Sequence, residues 1–188
     1  MESMTNKERF IAICRENIHR EGIDSLLESL EKNDFYVAPA STKYHLAEPG
    51  GLLQHSLNVY DELCRLVNAY EMVEKISEES IAIVSLFHDF CKVNFYKQDT
   101  RNAKVDGKWM VVPCYTIDEK IHYGGHGSKS VFLIERFIRL TTEEAVAINC
   151  HMGSWNGDNT VGDAFTQFPL AWLAHVADEA ASFLIEGK

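Results

Sequence analysis

Apolar residues recur at intervals of three and four along much of the chain, which is the spacing of one face of an α-helix. In the segment 52–72, this stripe consists of Leu53, Leu57, Tyr60, Cys64 and Val67. The segment 78–90 is apolar almost all round, as a helix buried in the centre of a protein should be. These patterns predict a long amphipathic helix followed by a central buried one, and a mainly α fold.

Residues that favour helix ends mark further helices. Gly22 divides the first thirty residues into two short helices. Thr141 and Glu144 have the spacing of a capping box and start a helix that ends near residue 151. Pro169 suits the first turn of the last helix, and the apolar stripe after Gly127 predicts another helix that ends at about residue 140.

One β-hairpin is predicted within this helical pattern. Asp106 and Gly107 separate two segments of strand-like composition, and Asp-Gly is a common hairpin turn. The sequence therefore predicts a small β-hairpin insertion near residues 101–117. Segment 35–51, which contains prolines and glycines, and the polar segment 153–162 are predicted to be loops.

The chain contains no feature that divides it into domains. No repeat, low-complexity tract or flexible linker interrupts its 188 residues, a length that suits one domain. We expect a single domain over residues 1–188, with N-terminal helices in 1–35 and a helical core in 36–184. The polar start and the lack of a long apolar run predict a soluble, cytoplasmic protein with no membrane partner.

The charge of the chain bears on its partners. The net charge of −10 disfavours nucleic acid as a partner, because a nucleic-acid-binding surface is usually basic. The segment 92–108 departs from this balance, with five basic residues against Asp99 and Asp106. Two interpretations are open for this segment: a charged hairpin surrounded by solvent, or a rim that attracts phosphate.

The five cysteines give little support for disulfides. Cys14, Cys64, Cys91, Cys114 and Cys150 are odd in number and scattered, which predicts reduced thiols. Cys91 and Cys150 lie beside candidate metal ligands. We expect both to be small buried residues, because a set of oxygen and nitrogen ligands is complete without them.

The adjacent pair His88 and Asp89, at the end of the apolar segment 81–87, is the strongest chemical feature. Other residues of the same two types occur before and after it: His55, His126, His151 and Asp178. Imidazole nitrogens and carboxylate oxygens are the mixed ligand set that suits a borderline transition-metal ion. His55 lies off the apolar stripe of its helix, which argues against a core histidine. A carboxylate can bridge two metal ions, and Asp89 is the candidate bridge.

Several segments that carry these residues resemble a known family. Residues 50–59, 88–92, 125–127, 149–153 and 175–178 resemble, in this order, the metal-ligand segments of the HD superfamily of metal-dependent phosphohydrolases. The second segment is similar to the family's HDxxK motif and the last to its H-x-A-D motif. The resemblance covers roughly residues 40 to 180. It is closest to stand-alone HD domains and to those attached to bacterial 3′-5′ exoribonucleases.

This resemblance implies a fold and a set of metal ligands. The fold would be an HD-domain helical bundle that carries the β-hairpin. One metal position would be formed by His55, His88, Asp89 and Asp178, and a second by His126, His151 and the shared Asp89. The family often has a second histidine where this chain has Met152, so two positions are expected rather than three. The ions would be divalent, and Mn, Fe, Ni, Co, Zn and Mg are not distinguished.

The resemblance also implies an activity. We expect a divalent-metal-dependent phosphohydrolase that acts on a nucleotide or another small phosphate ester through metal-activated water. Asp89 and Lys92 would be catalytic, and Lys92 would also bind the substrate. Lys97 and Arg101, from the basic segment 92–108, and Tyr96, from the aromatic residues around the hairpin, are further candidates for substrate binding. His175 would orient ligands through a hydrogen bond. His45 and His122 are open between surface positions and substrate contacts.

Two other functions remain open for the same fold. Some HD-fold enzymes resemble this ligand order but hold two irons and use oxygen, so iron content with oxygen consumption would identify an oxygenase. A regulatory module would bind metal without turnover, either as a homodimer or with another protein. Fold alone does not decide among these functions.

Overall fold

Eight α-helices and one two-stranded antiparallel sheet make up the described part of the computed structural model, which covers residues 4–118, 124–156 and 160–187. In chain order, these elements are α1 (Asn6–Asn17), α2 (Ile23–Lys32), α3 (Gly51–Ala69), α4 (Glu78–Phe87), β1 (Tyr96–Val105), β2 (Lys108–Ile117), α5 (His126–Ile134), α6 (Thr142–Cys150), α7 (Val161–Gln167) and α8 (Pro169–Ala180). The prediction of a mainly α fold with one hairpin is confirmed. No helix of the described residues is long and apolar enough to cross a bilayer.

The break between the first two helices lies at Gly22, as predicted. Gly22 has a φ of +95°, in the left-handed region that favours glycine. A Cβ atom at this position would lie only 1.9 Å from the carbonyl oxygen of Phe137. The turn therefore packs directly against the segment that follows α5, which a larger residue would push away.

The centre of the fold is formed by α3 and α4, with α8 packed against α3 and α6 packed against α8. Every residue from Ile81 to Phe87 in α4 is buried, which confirms the prediction of a central helix that is apolar all round. Phe87 also contacts the ring of Phe10 in α1 at a centroid distance of 5.7 Å. Each fully buried side chain of this size stabilises the fold by roughly 1.5–3 kcal/mol, so the core fixes α4 firmly.

The buried face of α3 differs from the predicted stripe. Tyr60 and Cys64 are only half-buried, whereas Leu52 and Leu63 are fully buried. The helix is covered on more than one side, because α1, α4 and α8 all contact it. A stripe with a three- and four-residue spacing identifies one covered face and misses the others. His55 lies on one of these other covered faces.

The hairpin is longer than predicted and begins at Tyr96 rather than near residue 101. Val105 pairs with Lys108 across a turn in which Asp106 and Gly107 both have positive φ, as a two-residue hairpin turn of this hand requires. Most side chains of both strands are exposed. The basic residues of β1 therefore lie in solvent, and only the base of the hairpin approaches the helices.

The segment 153–162 was predicted to be a loop, and this prediction is wrong at both of its ends: a 3-10 turn spans Gly153–Asn156, and α7 begins at Val161, which is buried. Such short helices are hard to recognise in a sequence, because their stability comes mainly from tertiary packing. The capping box at Thr141 and Glu144 and the proline at the start of α8 are confirmed. A π-helical turn, Ala181–Ile185, continues α8.

A buried ion pair ties the turn before α2 to the start of α6. The side chain of Glu144 is fully buried, and its two oxygens accept hydrogen bonds of 2.6 and 2.7 Å from the guanidinium of Arg20. Ser80 and the backbone N–H of Thr141 donate to the same carboxylate. The pKa of Glu144 is lowered, because these donors outweigh the effect of burial.

We expect Glu144→Ala to lower the free energy of unfolding by about 3 kcal/mol, because Arg20, Ser80 and the backbone N–H of Thr141 lose the buried acceptor that they share. The more distant carboxylate of Glu79, 3.4 Å from Arg20, offsets only part of this loss. Urea denaturation would measure the change. Lys32→Ala, which breaks the exposed pair of Lys32 with Glu28, is the matched control and should leave the urea midpoint nearly unchanged. A wild-type midpoint for Glu144→Ala would contradict the prediction.

Candidate metal centre

The site is built around the C-terminal end of α4. His88 caps this helix and Asp89 follows it, and their side chains are 2% and 3% exposed. The Nδ1 atom of His88 donates a hydrogen bond of 2.8 Å to the carbonyl of Ser85. This bond turns the Nε2 atom of His88 away from the helix and towards the neighbouring elements.

Two further elements bring ligands to the same point. His55, from α3, places its Nε2 atom 3.1 Å from the Nε2 atom of His88. Asp178, from α8, places Oδ1 at 3.2 Å from Nε2 of His55 and 4.0 Å from Nε2 of His88. The Oδ2 atom of Asp89 lies 3.5 Å from both histidine nitrogens. Residues far apart in the sequence thus contribute four donor atoms to one small space.

The separations of these four donor atoms fit a metal ion. Ligand atoms about 2.1 Å from a metal lie roughly 3.0 Å apart in an octahedral site and roughly 3.4 Å apart in a tetrahedral one. The five separations given above range from 3.1 to 4.0 Å. The buried histidine and aspartate side chains could therefore hold a metal ion with only small movements.

The hydrogen bonds fix which nitrogen of each histidine is free to bind a metal. His55 donates from Nδ1 to the carboxylate of Glu186 at 3.1 Å, and His151 donates from Nδ1 to the carbonyl of Ile148 at 2.6 Å. His88 donates to Ser85 in the same way. In its neutral form each of these rings therefore presents a lone pair at Nε2.

These lone pairs would repel each other unless a cation or a proton lies between them. The Nε2 atoms of His55 and His88 face each other at 3.1 Å, beside two carboxylates. Burial alone would lower the pKa of His55, but the carboxylates of Asp178 and Glu186 outweigh it and raise the pKa to about 9. A proton between these atoms is therefore favoured at the place where a cation could bind.

His151 contains the clearest unsatisfied atom of the site. Its side chain is 1% exposed, and its Nε2 atom is buried with no hydrogen-bond partner in the described part of the chain. The nearest carboxylate oxygen of Asp89, Oδ1, lies 3.6 Å away, which is beyond hydrogen-bonding distance. A buried polar atom without a partner costs about 1–3 kcal/mol, and a bound metal ion would remove this cost.

His126 enters the site from the start of α5, where this helix crosses α6 closely. A Cβ atom on the next residue, Gly127, would lie 2.4 Å from the carbonyl oxygen of Asn149, so glycine permits the close crossing. The rings of His126 and His151 then have centroids 5.6 Å apart. Nε2 of His126 lies 2.7 Å from Oδ1 of Asp89.

Asp89 joins the two groups of histidines, because its two oxygens face different partners. Oδ1 faces His126 and His151, whereas Oδ2 faces His55 and His88. Oδ2 also lies 2.6 Å from the ammonium of Lys92. Burial would raise the pKa of Asp89, but Lys92, His88 and His126 together lower it well below its usual range. The ionised form of Asp89 is therefore favoured, and its two oxygens face the two groups of histidines.

Glu186 is a residue of the site that the sequence analysis missed. Its carboxylate is 1% exposed and accepts hydrogen bonds from His55 at 3.1 Å, Asn58 at 2.7 Å and His45 at 2.5 Å. Burial would raise the pKa of Glu186, but these three donors lower it to about 2. Its main effect is to hold the ring of His55 with Nε2 directed at the other ligands.

Loss of the Glu186 charge should weaken metal binding at His55. We expect Glu186→Gln to lower the affinity for the first metal ion by about 10–100-fold, the usual effect of removing a partner that orients a ligand. Competition with a chromophoric chelator would measure this affinity. Glu179→Gln removes one charge beside Asp178 in α8, and the ion pairs of His55 among the described residues do not include Glu179, so a much smaller change is expected for this variant. Equal affinities for the two variants would contradict the prediction.

A cavity of about 690 Å³ opens directly onto these ligands. Its lining includes ligands and a group of larger side chains, namely His55, Asp89, His126, Asp178, Lys92, Tyr44, His45, Tyr96, Ile117, Met152, Glu179 and Phe183. The hydroxyl of Tyr96 donates to the carbonyl of Ala40 at 3.3 Å. Lys92 and Tyr96, two of the expected substrate-binding residues, are thus at the site.

The other two expected substrate-binding residues lie elsewhere. Lys97 is half-exposed and lies 3.6 Å from the carboxylate of Asp118, and Arg101 borders a separate cavity on the hairpin. Neither residue lines the large cavity.

The other histidines named in the sequence analysis have different positions. His45 lines the large cavity, and His175 donates from Nδ1 to the carbonyl of His151 at 2.7 Å. His122 falls outside the described residues.

Comparisons with known proteins do not assign the chain to a family. No protein-family model, no curated protein and no solved structure matches it. A function for this chain is therefore argued from its own residues and their geometry.

Proposed function

We propose that this protein is a divalent-metal-dependent phosphohydrolase that acts on a nucleotide or another small phosphate ester. The observation that carries the proposal is the convergence of three histidine lone pairs, at His55, His88 and His151, on the carboxylates of Asp89 and Asp178. The order of these ligands in the sequence, similar to that of the HD superfamily, supports the same function.

The residues divide into two ligand sets that share Asp89. His55, His88 and Asp178 would hold one cation, together with Oδ2 of Asp89. His126 and His151 would hold the other, together with Oδ1 of Asp89. A divalent cation at such a site neutralises phosphate oxygens and lowers the pKa of a bound water.

The cavity supplies the remaining parts of a substrate site. The side chain of Lys92 is 10% exposed. Burial would lower the pKa of its ammonium, but Asp89 raises this pKa, so the charged form is favoured. This fixed cation can attract a phosphate group towards the ligands. Tyr44, Tyr96 and Phe183 offer apolar surface for the organic part of a substrate. A cavity of about 690 Å³ has the size of a small-molecule site.

The charge of the protein makes a polynucleotide a poorer substrate than a small phosphate compound. The net charge is −10, and the basic residues of β1 are exposed on the hairpin, outside the large cavity. A long nucleic acid would therefore meet repulsion over most of the surface, and its binding should be weak at physiological salt.

The proposal can be tested in one series of measurements on protein purified without chelator. Elemental analysis would first give the bound metals, and a panel of nucleotides and phosphate esters would then be assayed before and after metal removal. We expect phosphate release that is lost with the metal and restored by adding it back. Iron with oxygen consumption would favour an oxygenase instead, and stoichiometric metal without hydrolysis would favour a regulatory module.

A further inference from the structure

The side chain of Cys91 lies among the ligands of the second metal position. We propose that Cys91 binds the second metal ion as a thiolate, together with Asp89 and His126. This position would then select a thiophilic ion such as Zn²⁺ or Co²⁺ over Mg²⁺ or Mn²⁺. The inference rests on the proposed metal centre but not on the reaction assigned to it.

The geometry around Cys91 suits coordination. Cys91 is 2% exposed and lies in the 3-10 turn Phe90–Lys92, two residues after Asp89. Its Sγ atom lies 3.4 Å from Nε2 of His126, close to the roughly 3.5 Å that bonds of about 2.3 Å to sulfur and 2.0–2.1 Å to nitrogen give in a tetrahedral zinc site. Sγ lies equally far from Nδ1, so the ring would turn about its Cβ–Cγ bond to direct Nε2 at an ion that Sγ also binds. Donor atoms of Asp89, Cys91 and His126 all lie within 4.8 Å of one another.

An independent observation points to an ion at this place. Nε2 of His151 is buried without a hydrogen-bond partner among the described residues, and it faces the same oxygen of Asp89 that His126 contacts. The ring of His151 lies beside that of His126. An ion bound by Asp89, Cys91 and His126 would lie on the side of Oδ1 of Asp89, which Nε2 of His151 also faces at 3.6 Å. If the ring of His151 moves towards this ion, two histidines, one carboxylate and one thiolate would form a four-donor set.

A sulfur ligand changes which metals the site prefers. Imidazole and carboxylate ligands accept a wide range of divalent ions, whereas thiolate strongly favours zinc and cobalt over the harder Mg²⁺ and Mn²⁺. Binding would convert the thiol of Cys91 to a thiolate and release its proton to solvent, with no change of oxidation state. The alternative is that Cys91 only fills space between the turn and His126, as expected from the sequence.

Cobalt substitution separates these two roles, because a cobalt–thiolate bond gives a near-ultraviolet charge-transfer band that nitrogen and oxygen ligands do not. Co²⁺ would be titrated into metal-free wild type, Cys91→Ala and Cys91→Ser. Cys150→Ala is the matched control, since Cys150 is also buried beside a ligand but belongs to none of the four donor groups found in the described residues. Circular dichroism would check that each variant folds.

We expect the band to appear in the wild type with the second equivalent of Co²⁺ and to persist in Cys150→Ala. Both Cys91 variants should lose the band and hold the second ion more weakly. A wild type that binds two equivalents without the band would overturn the inference, as would a band that survives in Cys91→Ser.

Phosphate hydrolysis, assayed on the same samples with Zn²⁺, is a separate readout. Hydrolysis without the band would support the proposed function and contradict the assignment of Cys91 as a ligand. The band without hydrolysis would support the Cys91 ligand and contradict the proposed function.

Discussion

The Asp89→Asn variant is expected to lose both metal ions and to hydrolyse phosphate esters no faster than background. Each oxygen of Asp89 faces one ligand set, so both sets depend on this single carboxylate. An amide has one oxygen, carries no charge and cannot bridge two cations. The substitution also leaves Lys92, whose side chain is 10% exposed, without its partner at 2.6 Å. The positive charge of Lys92 would then lie uncompensated beside the metal positions and would repel the cations.

Elemental analysis and a phosphate-release assay on the same preparation would measure both losses. Asp99→Asn is the matched control, because Asp99 lies in exposed β1 and its carboxylate bonds only within the hairpin among the described residues. Circular dichroism would separate loss of metal from loss of fold. Two bound ions or wild-type turnover in Asp89→Asn would show that Asp89 does not bridge the site.

Much of the fold and most of the ligands could be predicted from local patterns. The apolar segment before His88 predicts a buried helix, and burial of that helix is what buries the two residues at its end. The capping box of α6 fixes where this helix begins and so where His151 emerges at its other end. These features depend on neighbouring residues, whose spacing is visible in the sequence.

The remaining parts of the site depend on contacts that no local pattern contains. Glu186 reaches His55 across 131 residues, and it does so after a π-helical turn that the sequence does not mark. Lys97 and Arg101 were expected at the substrate because they belong to the basic segment 92–108, which was interpreted as a rim that attracts phosphate. The chain leaves the core at Tyr96 as a hairpin, and each further residue of a strand adds about 3.3 Å of distance from the site.

The removal of His126 and the removal of His55 are expected to empty different metal positions. His126 contacts Asp89 on the side of Oδ1, and its side chain is the more exposed, at 26%. His55 is 1% exposed and lies within 3.2 Å of both His88 and Asp178. His126→Ala should therefore keep one tightly held ion. His55→Ala should lose this tighter ion, and the binding of the second ion should also weaken, because both positions share Asp89.

Activity should fall in both variants, since stabilisation of the phosphate oxygens needs both cations. For His126→Ala we expect a loss on the order of a hundredfold or more while about half of the metal remains. Metal counts and phosphate release would be measured side by side, with His19→Ala as the control for adventitious binding to an exposed imidazole. If His126→Ala keeps all of its metal and full activity, the site holds one ion, and the ring of His126 serves to pack against Cys91. If it loses all metal, the two ions bind together, and the bridge through Asp89 couples the two positions more strongly than the separate ligand sets suggest.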